Sequence, residues 1–365
     1  SVIKTIEPHD SIERYESLGV KVITGSATIV SPWQVDIHTA DGIQSLTTKN
    51  IVIATGASAF VPPIPGLKDI DYLTADNLWD LTEQPKRLVV LGGGPIGSEL
   101  SQAFGRLGTQ VTQVEMLPQL LAKEDPDAAQ YLYDQLIKDG VDVRLNTTAT
   151  AIEKTAEGKF IVLEKDGKQE KLPFDEILIA VGRIANLKGF GLEKLDIETN
   201  RVVVTNEMLQ TKYPNILAAG DVAGPYQFTH TAAHQAWYAA VNALFRPFKT
   251  FKVDYRVIPW ATFTDPEIAT VGLNEQAAKE QGIAYEVTKY DIGGLDRALT
   301  DDHARGFVKV LTPPGKDKIL GATIVGAQAG ELIAEFVLAM KYNLGMNKIL
   351  GTIHIYPTMA EASKY

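Results

Sequence analysis

The apolar run Arg87-Leu88-Val89-Val90-Leu91 passes directly into Gly92-Gly93-Gly94-Pro95-Ile96-Gly97, after which Leu100, Ala103, Phe104 and Leu107 recur at helical spacing. A strand, a Gly-x-Gly-x-x-Gly turn and a helix in that order constrain the fold more than any other feature of the chain. Gly92 permits the tight turn, Gly94 lets the backbone approach a pyrophosphate, and Gly97 lets helix pack on strand. The helix N-terminus, entered at Pro95 and Ile96, then faces an anion with unpaired N–H groups and a partial positive charge. With 30 glycines in 365 residues, chance matches to such a string are common, so its surroundings decide. Gly108 ends the helix, residues 111–115 read as a strand, and residues 127–138 as a second helix with Ala129, Leu132, Tyr133, Leu136 and Ile137 on one face. Residues 141–145 read as a third strand. The β-α-β-α-β order predicts a parallel sheet with right-handed crossovers. Taken alone, the loop is also compatible with a glycine-rich turn that holds no ligand.

Glu115 stands at the end of the second strand, where a carboxylate accepts hydrogen bonds from the hydroxyls of an adenine ribose and repels a 2′-phosphate. Residues 115–122 contain no Arg or Lys to bind such a phosphate, which favours NAD over NADP. A solvated strand-end residue is the plain alternative for Glu115.

Composition narrows the partners. The net charge of −10 comes with no basic stripe, so nucleic acid is not an expected partner and a small-molecule substrate is. No apolar run is long enough to span a membrane, and the first residues lack the pattern of a signal peptide, so the expected place is the cytoplasm. The chain has no cysteine, which excludes a disulfide, a thiolate metal site or a cysteine nucleophile within these residues. No metal site is expected.

Along the chain, residues 11–18 read as the end of a helix, and strand patterns follow at 19–25, 34–39 and 45–48. Ile51-Val52-Ile53-Ala54-Thr55-Gly56 is an apolar run ending in small residues, and Pro62-Pro63-Ile64-Pro65-Gly66 is a stiff connection of the kind that separates domains. A hairpin is expected around Asp166-Gly167. Ile177-Leu178-Ile179-Ala180-Val181-Gly182 repeats the pattern of residues 51–56, suggesting two related nucleotide-binding units. Ile216-Leu217-Ala218-Ala219-Gly220-Asp221 is an apolar run ending in small residues and a carboxylate that can accept hydroxyl hydrogen bonds; an ordinary strand-end Asp fits as well. Residues 252–365 turn to short strands and a helix at 329–343 whose Leu332, Ile333, Phe336 and Met340 form an apolar stripe.

These landmarks resemble the class I pyridine nucleotide–disulfide oxidoreductases, the family of dihydrolipoamide dehydrogenase, glutathione reductase and mercuric reductase. The turn Ala54-Thr55-Gly56 resembles the family's crossing from FAD domain to NAD domain, and Ala180-Val181-Gly182-Arg183 its return. Gly92 to Glu99 resembles the NAD loop, and the resemblance puts Glu99 beside the nicotinamide. Residues 211–221, ending in Gly220-Asp221, are similar to the second FAD motif, whose Asp binds the ribityl chain. Phe228-Thr229-His230 is similar to the segment passing near the isoalloxazine ring. Phe263-Thr264-Asp265-Pro266-Glu267 and the run through Glu361 resemble the dimer-forming interface domain.

The resemblance implies an α/β fold with Rossmann-like, three-layer FAD- and NAD(P)-binding domains and a C-terminal α+β interface domain. Expected divisions are 1–66 for the remainder of the FAD domain, 67–183 for the NAD domain, 184–251 for the second FAD segment and 252–365 for the interface domain. The expected cofactors are FAD and NAD, and the expected partner is a second copy of the chain. The family's first FAD glycine loop and its Cys-x4-Cys disulfide have no counterpart here, so the 365 residues are expected to be a truncation that is inactive by itself, with the C-terminus also short. Some bacterial relatives carry a membrane domain ahead of the oxidoreductase, which would put the enzyme at the inner face of the cytoplasmic membrane.

The substrate reading rests on His354-Ile355-Tyr356-Pro357-Thr358-Met359-Ala360-Glu361. Dithiol-reducing members have His before Pro-Thr, oriented by a Glu five residues later. Here Glu361 is kept and Tyr356 stands at the base position. A phenol with a pKa near about 10 is protonated at neutral pH, whereas imidazole near about 6.5 can take a proton. Mercuric reductases similarly place Tyr there, so a thiolate-bound metal acceptor is expected. His354 is the alternative base, Tyr356 as a mere packing residue is the plain reading, and an NADH oxidase, a transhydrogenase, or a binding module without turnover are the competing functions.

Overall fold

The computed structural model describes residues 2–365, which gather into two compact units. One comprises the residues up to Ala57 together with Ala185–Val253; the other comprises Ser58–Ile184 with Asp254–Tyr365. In the first unit, Ser26–Ser31, Gln34–Thr39 and Gly42–Thr47 form an antiparallel sheet. The run 51–56 forms a short strand, Ile51–Ile53, pairing in parallel with Ile216–Ala218. Ile29, Ile51, Ile53, Ile216, Ala218 and Val222 make the core around that pair. Residues 20–25, expected as a strand, form none; the ladder begins at Ser26. Val20 is exposed, and alternating apolar character without a paired neighbour does not make a ladder.

The second unit contains the predicted β-α-β-α-β. Its four-stranded sheet is parallel throughout, in the order Glu176–Ile179, Arg87–Leu91, Gln110–Val114, Asp142–Arg144. Pro95–Arg106, here termed the loop helix, and Pro126–Lys138 are the crossovers. An antiparallel sheet of Thr148–Thr155, Gly158–Lys165 and Lys168–Phe174 follows. Its hairpin turns on Asp166 and Gly167, both at positive φ, the geometry that a two-residue primed turn requires.

The loop helix forms where expected, but its buried face is different. Leu107 is 69% exposed and Leu100 and Phe104 are only partly covered, while Gly97, Ser98, Ser101 and Gln102 are buried. Small residues allow the helix axis to approach the strand closely, as the third glycine of the loop demands. In Pro126–Lys138 the predicted positions Ala129, Leu132 and Leu136 are buried, whereas Ile137 faces solvent.

Residues 259–326 supply a five-stranded antiparallel sheet in the order Pro259–Thr262, Glu267–Gly272, Gly321–Gly326, Phe307–Thr312, Glu286–Asp291. Its central strands are buried on both faces and alternate in character. Ala269, Val271, Val308, Val310 and Ile324 pack with Ile333, Phe336 and Ala339 of the helix Ala329–Lys341. The stripe Leu332–Met340 therefore covers its own sheet. On the opposite face Ile268, Phe307 and Val325 join Leu132 and Leu136 of the nucleotide-type fold. Among them lies Lys309, its side chain 1% exposed, paired with Asp125 at 2.7 Å, Asp127 at 2.7 Å and Glu275 at 3.1 Å. Burial would pull the Lys309 ammonium down, but the bonds to Asp125 and Asp127 outweigh it and hold the group above its ordinary value.

Replacing Lys309 with Met would leave Asp125, also 1% exposed, as an unpaired buried charge. The expected loss is about 3–5 kcal/mol of unfolding free energy, read by urea denaturation; a loss below about 1 kcal/mol, the scale of a surface pair, would show that water reaches the site.

Candidate dinucleotide site

Steric room explains the glycines of the loop. A Cβ on Gly92, whose φ is +114°, would lie 2.4 Å from the Ala180 carbonyl oxygen, and one on Gly97 would lie 2.2 Å from that of Gly92. Gly93 is equally closed, by Leu120 and the Glu115 carboxylate. Gly94 differs: its φ is −76° and a Cβ there would meet nothing within 4 Å. Two of the signature glycines thus serve backbone packing, and Gly94 alone faces open space.

That space is a cavity of about 570 Å³ whose wall includes Gly92, Gly94, Pro95, Ile96, Glu115 and Gly182. Pro95 occupies the first turn of the loop helix, where its missing N–H costs nothing, and the N–H groups of Ile96 and Gly97 have no carbonyl of their own helix to meet. The cavity therefore offers a backbone cradle at the positive end of a twelve-residue helix, suited to a pyrophosphate. Glu115 is at its edge. Its Oε2 accepts the Gly93 N–H at 2.6 Å and its Oε1 accepts the Leu117 N–H at 2.8 Å, leaving lone pairs for ribose hydroxyls. Gln113, which no sequence signal marked, is fully buried beneath the loop and donates to the Gly92 carbonyl at 3.1 Å and Ser98 Oγ at 3.2 Å. Its strand, Gln110–Val114, carries two further polar residues, Gln110 and Thr112, so nothing in the local sequence sets Gln113 apart.

Glu99 lies one turn along the loop helix. Its Oε1 accepts the Phe263 N–H at 2.8 Å, and burial pushes the carboxyl up against the lowering effect of that bond.

In the other unit, Gly220 follows the strand Ile216–Ala218 with φ +80°. Gln235, fully buried on the helix Thr229–Phe245, accepts the Gly220 N–H at 2.7 Å and donates to the Gly224 carbonyl at 2.6 Å. It fixes the turn that carries Asp221, and sequence reasoning passed it over because a helical Gln has no distinguishing pattern. His230, in the first turn of that helix, stacks on Phe228 with ring centroids 5.2 Å apart. The Thr231 hydroxyl is buried with no partner among the described residues. Thr55 donates to the Asn186 carbonyl at 3.0 Å, and Gly56, at φ +66°, accepts the Asn186 N–H.

The C-terminal candidates are held by three different partners. His354 Nε2 is 2.9 Å from Glu335 and Nδ1 is 3.0 Å from the Thr352 carbonyl. Tyr356 donates to Asp296 at 2.7 Å. Glu361 closes a capping box on its own turn, accepting the Thr358 N–H, and is hydrogen-bonded to neither His354 nor Tyr356. Asp296 holds the Tyr356 phenol above its ordinary value, although the side chain is 67% exposed.

Residues 3–236 match the Pyridine nucleotide-disulphide oxidoreductase family, and residues 258–365 match that family's dimerisation domain. The chain belongs to this family. Its members use FAD and NAD(P)H, and the open cradle at Gly94 is consistent with a dinucleotide. The chain is 35% identical over 355 residues to a mercuric reductase of Staphylococcus aureus, covering 97% of this chain and 64% of that protein. It is 37% identical over 360 residues to a dihydrolipoamide dehydrogenase of Chaetomium thermophilum, covering 96% and 70%. A Cu(II) complex of the HOCl-induced flavoprotein disulfide reductase RclA from Escherichia coli superposes with a TM-score of 0.85 at 28% identity, over 94% of this chain and 77% of that one. Among the described residues no helix is long and apolar enough to cross a membrane.

The two kinds of glycine should separate in stability. Gly97→Ala is expected to cost about 1–3 kcal/mol, since the backbone must shift, while Gly94→Ala should stay within about 0.5 kcal/mol; equal losses on denaturant unfolding would contradict the steric assignment.

Proposed function

We propose that the protein carrying these residues passes electrons from NADH, through FAD and a redox disulfide, to a thiolate-bound metal ion in the manner of mercuric reductase, working in the cytoplasm as a homodimer. The observation that carries the donor half is the open cradle at Gly94 with Glu115 at its rim. Glu115 receives the adenine-ribose hydroxyls, and Ile96 and Gly97 donate to the pyrophosphate. Glu99 lies beside the nicotinamide. Asp221 accepts from the ribityl hydroxyls, with Gly220 allowing close approach and His230 near the ring. Thr55, Gly56 and Gly182 are the points where the chain crosses between nucleotide domains. The flavin supplies the hydride and electron transfer; the residues of this chain bind and orient. With no cysteine, these 365 residues alone are expected to reduce no disulfide. The homodimer is supported by the dimerisation-domain match and by Ile353 and Ile355, 95% and 77% exposed; sedimentation over a tenfold concentration range checks it.

The acceptor half rests on Tyr356. Tyr356 keeps its proton and donates it in a hydrogen bond to Asp296, which holds the exposed hydroxyl in place to position a soft metal ion that substrate thiolates, not the phenol, coordinate. His354, with both ring nitrogens already facing acceptors, has no nitrogen open to a thiol.

Glu115→Ala should weaken NADH by about 1–3 kcal/mol, the scale of lost hydrogen bonds to a charged group, measured by titration calorimetry on the 365-residue chain; tighter binding of NADPH than of NADH to the unmodified chain would reject the donor assignment. In the flavin-loaded enzyme, Tyr356→Phe is expected to lower turnover of Hg(II)–thiol complexes about tenfold. Brisk lipoamide turnover that survives Tyr356→Phe and disappears in His354→Ala would instead make His354 the base and the enzyme a lipoamide dehydrogenase.

A further inference from the structure

The glycine loop is held from the C-terminal sheet through a carboxylate that no nucleotide-binding pattern includes. Gly93 has its N–H bound by Glu115 and its carbonyl bound by the Leu121 N–H at 2.7 Å. Leu121 is a buried leucine at φ +47°, a conformation that costs a branched side chain free energy and persists only where its surroundings impose it. Leu120 beside it packs directly against Gly93. What imposes that turn is Glu124. Its N–H closes onto the Leu121 carbonyl at 2.8 Å, and its own carbonyl accepts Gln119 Nε2 at 3.0 Å. Its side chain crosses to the C-terminal sheet, where Oε1 accepts the Trp260 indole N–H at 2.5 Å and Oε2 accepts the Thr270 hydroxyl at 2.7 Å. Asn274 adds a bond to the neighbouring Lys123 carbonyl at 2.7 Å.

We propose that Glu124, clamped by Trp260 and Thr270, is a positioning residue for the pyridine nucleotide: it sets the turn 120–124 that fixes the Gly93 carbonyl, so nucleotide affinity depends on the C-terminal sheet. This rests on the cavity at Gly94 being the nucleotide site. A buried carboxylate with two donors is the right group for the task, because each oxygen has a fixed role. In Glu124→Met both oxygens are removed at similar side-chain volume, so the Trp260 indole N–H loses its acceptor and the Thr270 hydroxyl is left with Thr323 alone. The turn loses both anchors.

The test is NADH titration by calorimetry on the full chain for Glu124→Met, Thr270→Val and a reference variant, Phe336→Leu, which loosens the far face of the same sheet. The clamp variants should bind NADH about tenfold more weakly, and Phe336→Leu should bind within twofold of the unmodified chain at a comparable fall in melting temperature. Unchanged NADH affinity in both clamp variants, with lowered melting temperature, would make the contact merely structural and overturn the proposal. Hydrogen exchange at the Leu121 amide gives a second readout independent of ligand. Faster exchange in Glu124→Met than in Phe336→Leu supports the clamp, and equal rates refute it. Should the unmodified chain bind no NADH, the reading of the cavity fails, and the exchange data decide the clamp separately.

Discussion

Lys309 is the constraint around which the larger unit is arranged. An ammonium group taken out of water loses several kcal/mol of solvation even after relaxation, and only close carboxylates can restore it. Three are present, from residues far apart in sequence: Asp125 and Asp127 at the start of a crossover helix, and Glu275 at the start of a short helix following the C-terminal sheet's second strand. Asp125 also accepts the N–H groups of Glu275 and Gln276. The pairing specifies which face of the sheet meets the nucleotide-type fold. Thr270, Lys309 and Thr323 line the polar part of that face, and their neighbours in sequence go to the opposite side with Phe336. A one-residue slip of the strand Phe307–Thr312 would turn the lysine to the opposite face, among leucines and isoleucines, so register is strongly specified here.

The glycine loop shows the same economy of space at smaller scale. The loop helix approaches the parallel sheet through Gly97, Ser98 and Ser101, and the closeness of that approach leaves room for nothing larger. Gln113 and Ser98 satisfy the loop carbonyls from beneath, while Glu115 and Leu121 engage Gly93 from the sides. The same helix is tied to the C-terminal segment by Gln102, which exchanges hydrogen bonds with the backbone of Asp265 in both directions, and by Glu99 on Phe263. The loop helix and the turn 120–124 that abuts the loop are thus both tied to the C-terminal segment.

The sequence by itself determined the element order of the β-α-β-α-β unit, because periodicity 2 against 3.6, Gly-rich turns and proline breaks are local signals. It also determined the glycine loop, the position of Glu115 at the strand end, the Asp166-Gly167 turn and the family resemblance. Tertiary structure alone decided which face of the loop helix is buried, since close packing on the sheet outweighed the amphipathic stripe of Leu100 and Leu107. It alone brought Glu124 to Trp260 and Lys309 to Asp125, pairs separated by 136 and by more than 180 positions in the chain. And it assigned His354 to Glu335, Tyr356 to Asp296 and Glu361 to its own turn. A motif specifies which groups are available, but a hydrogen bond is made with whatever partner the packed backbone delivers within about 3 Å, and that partner is not written in local spacing.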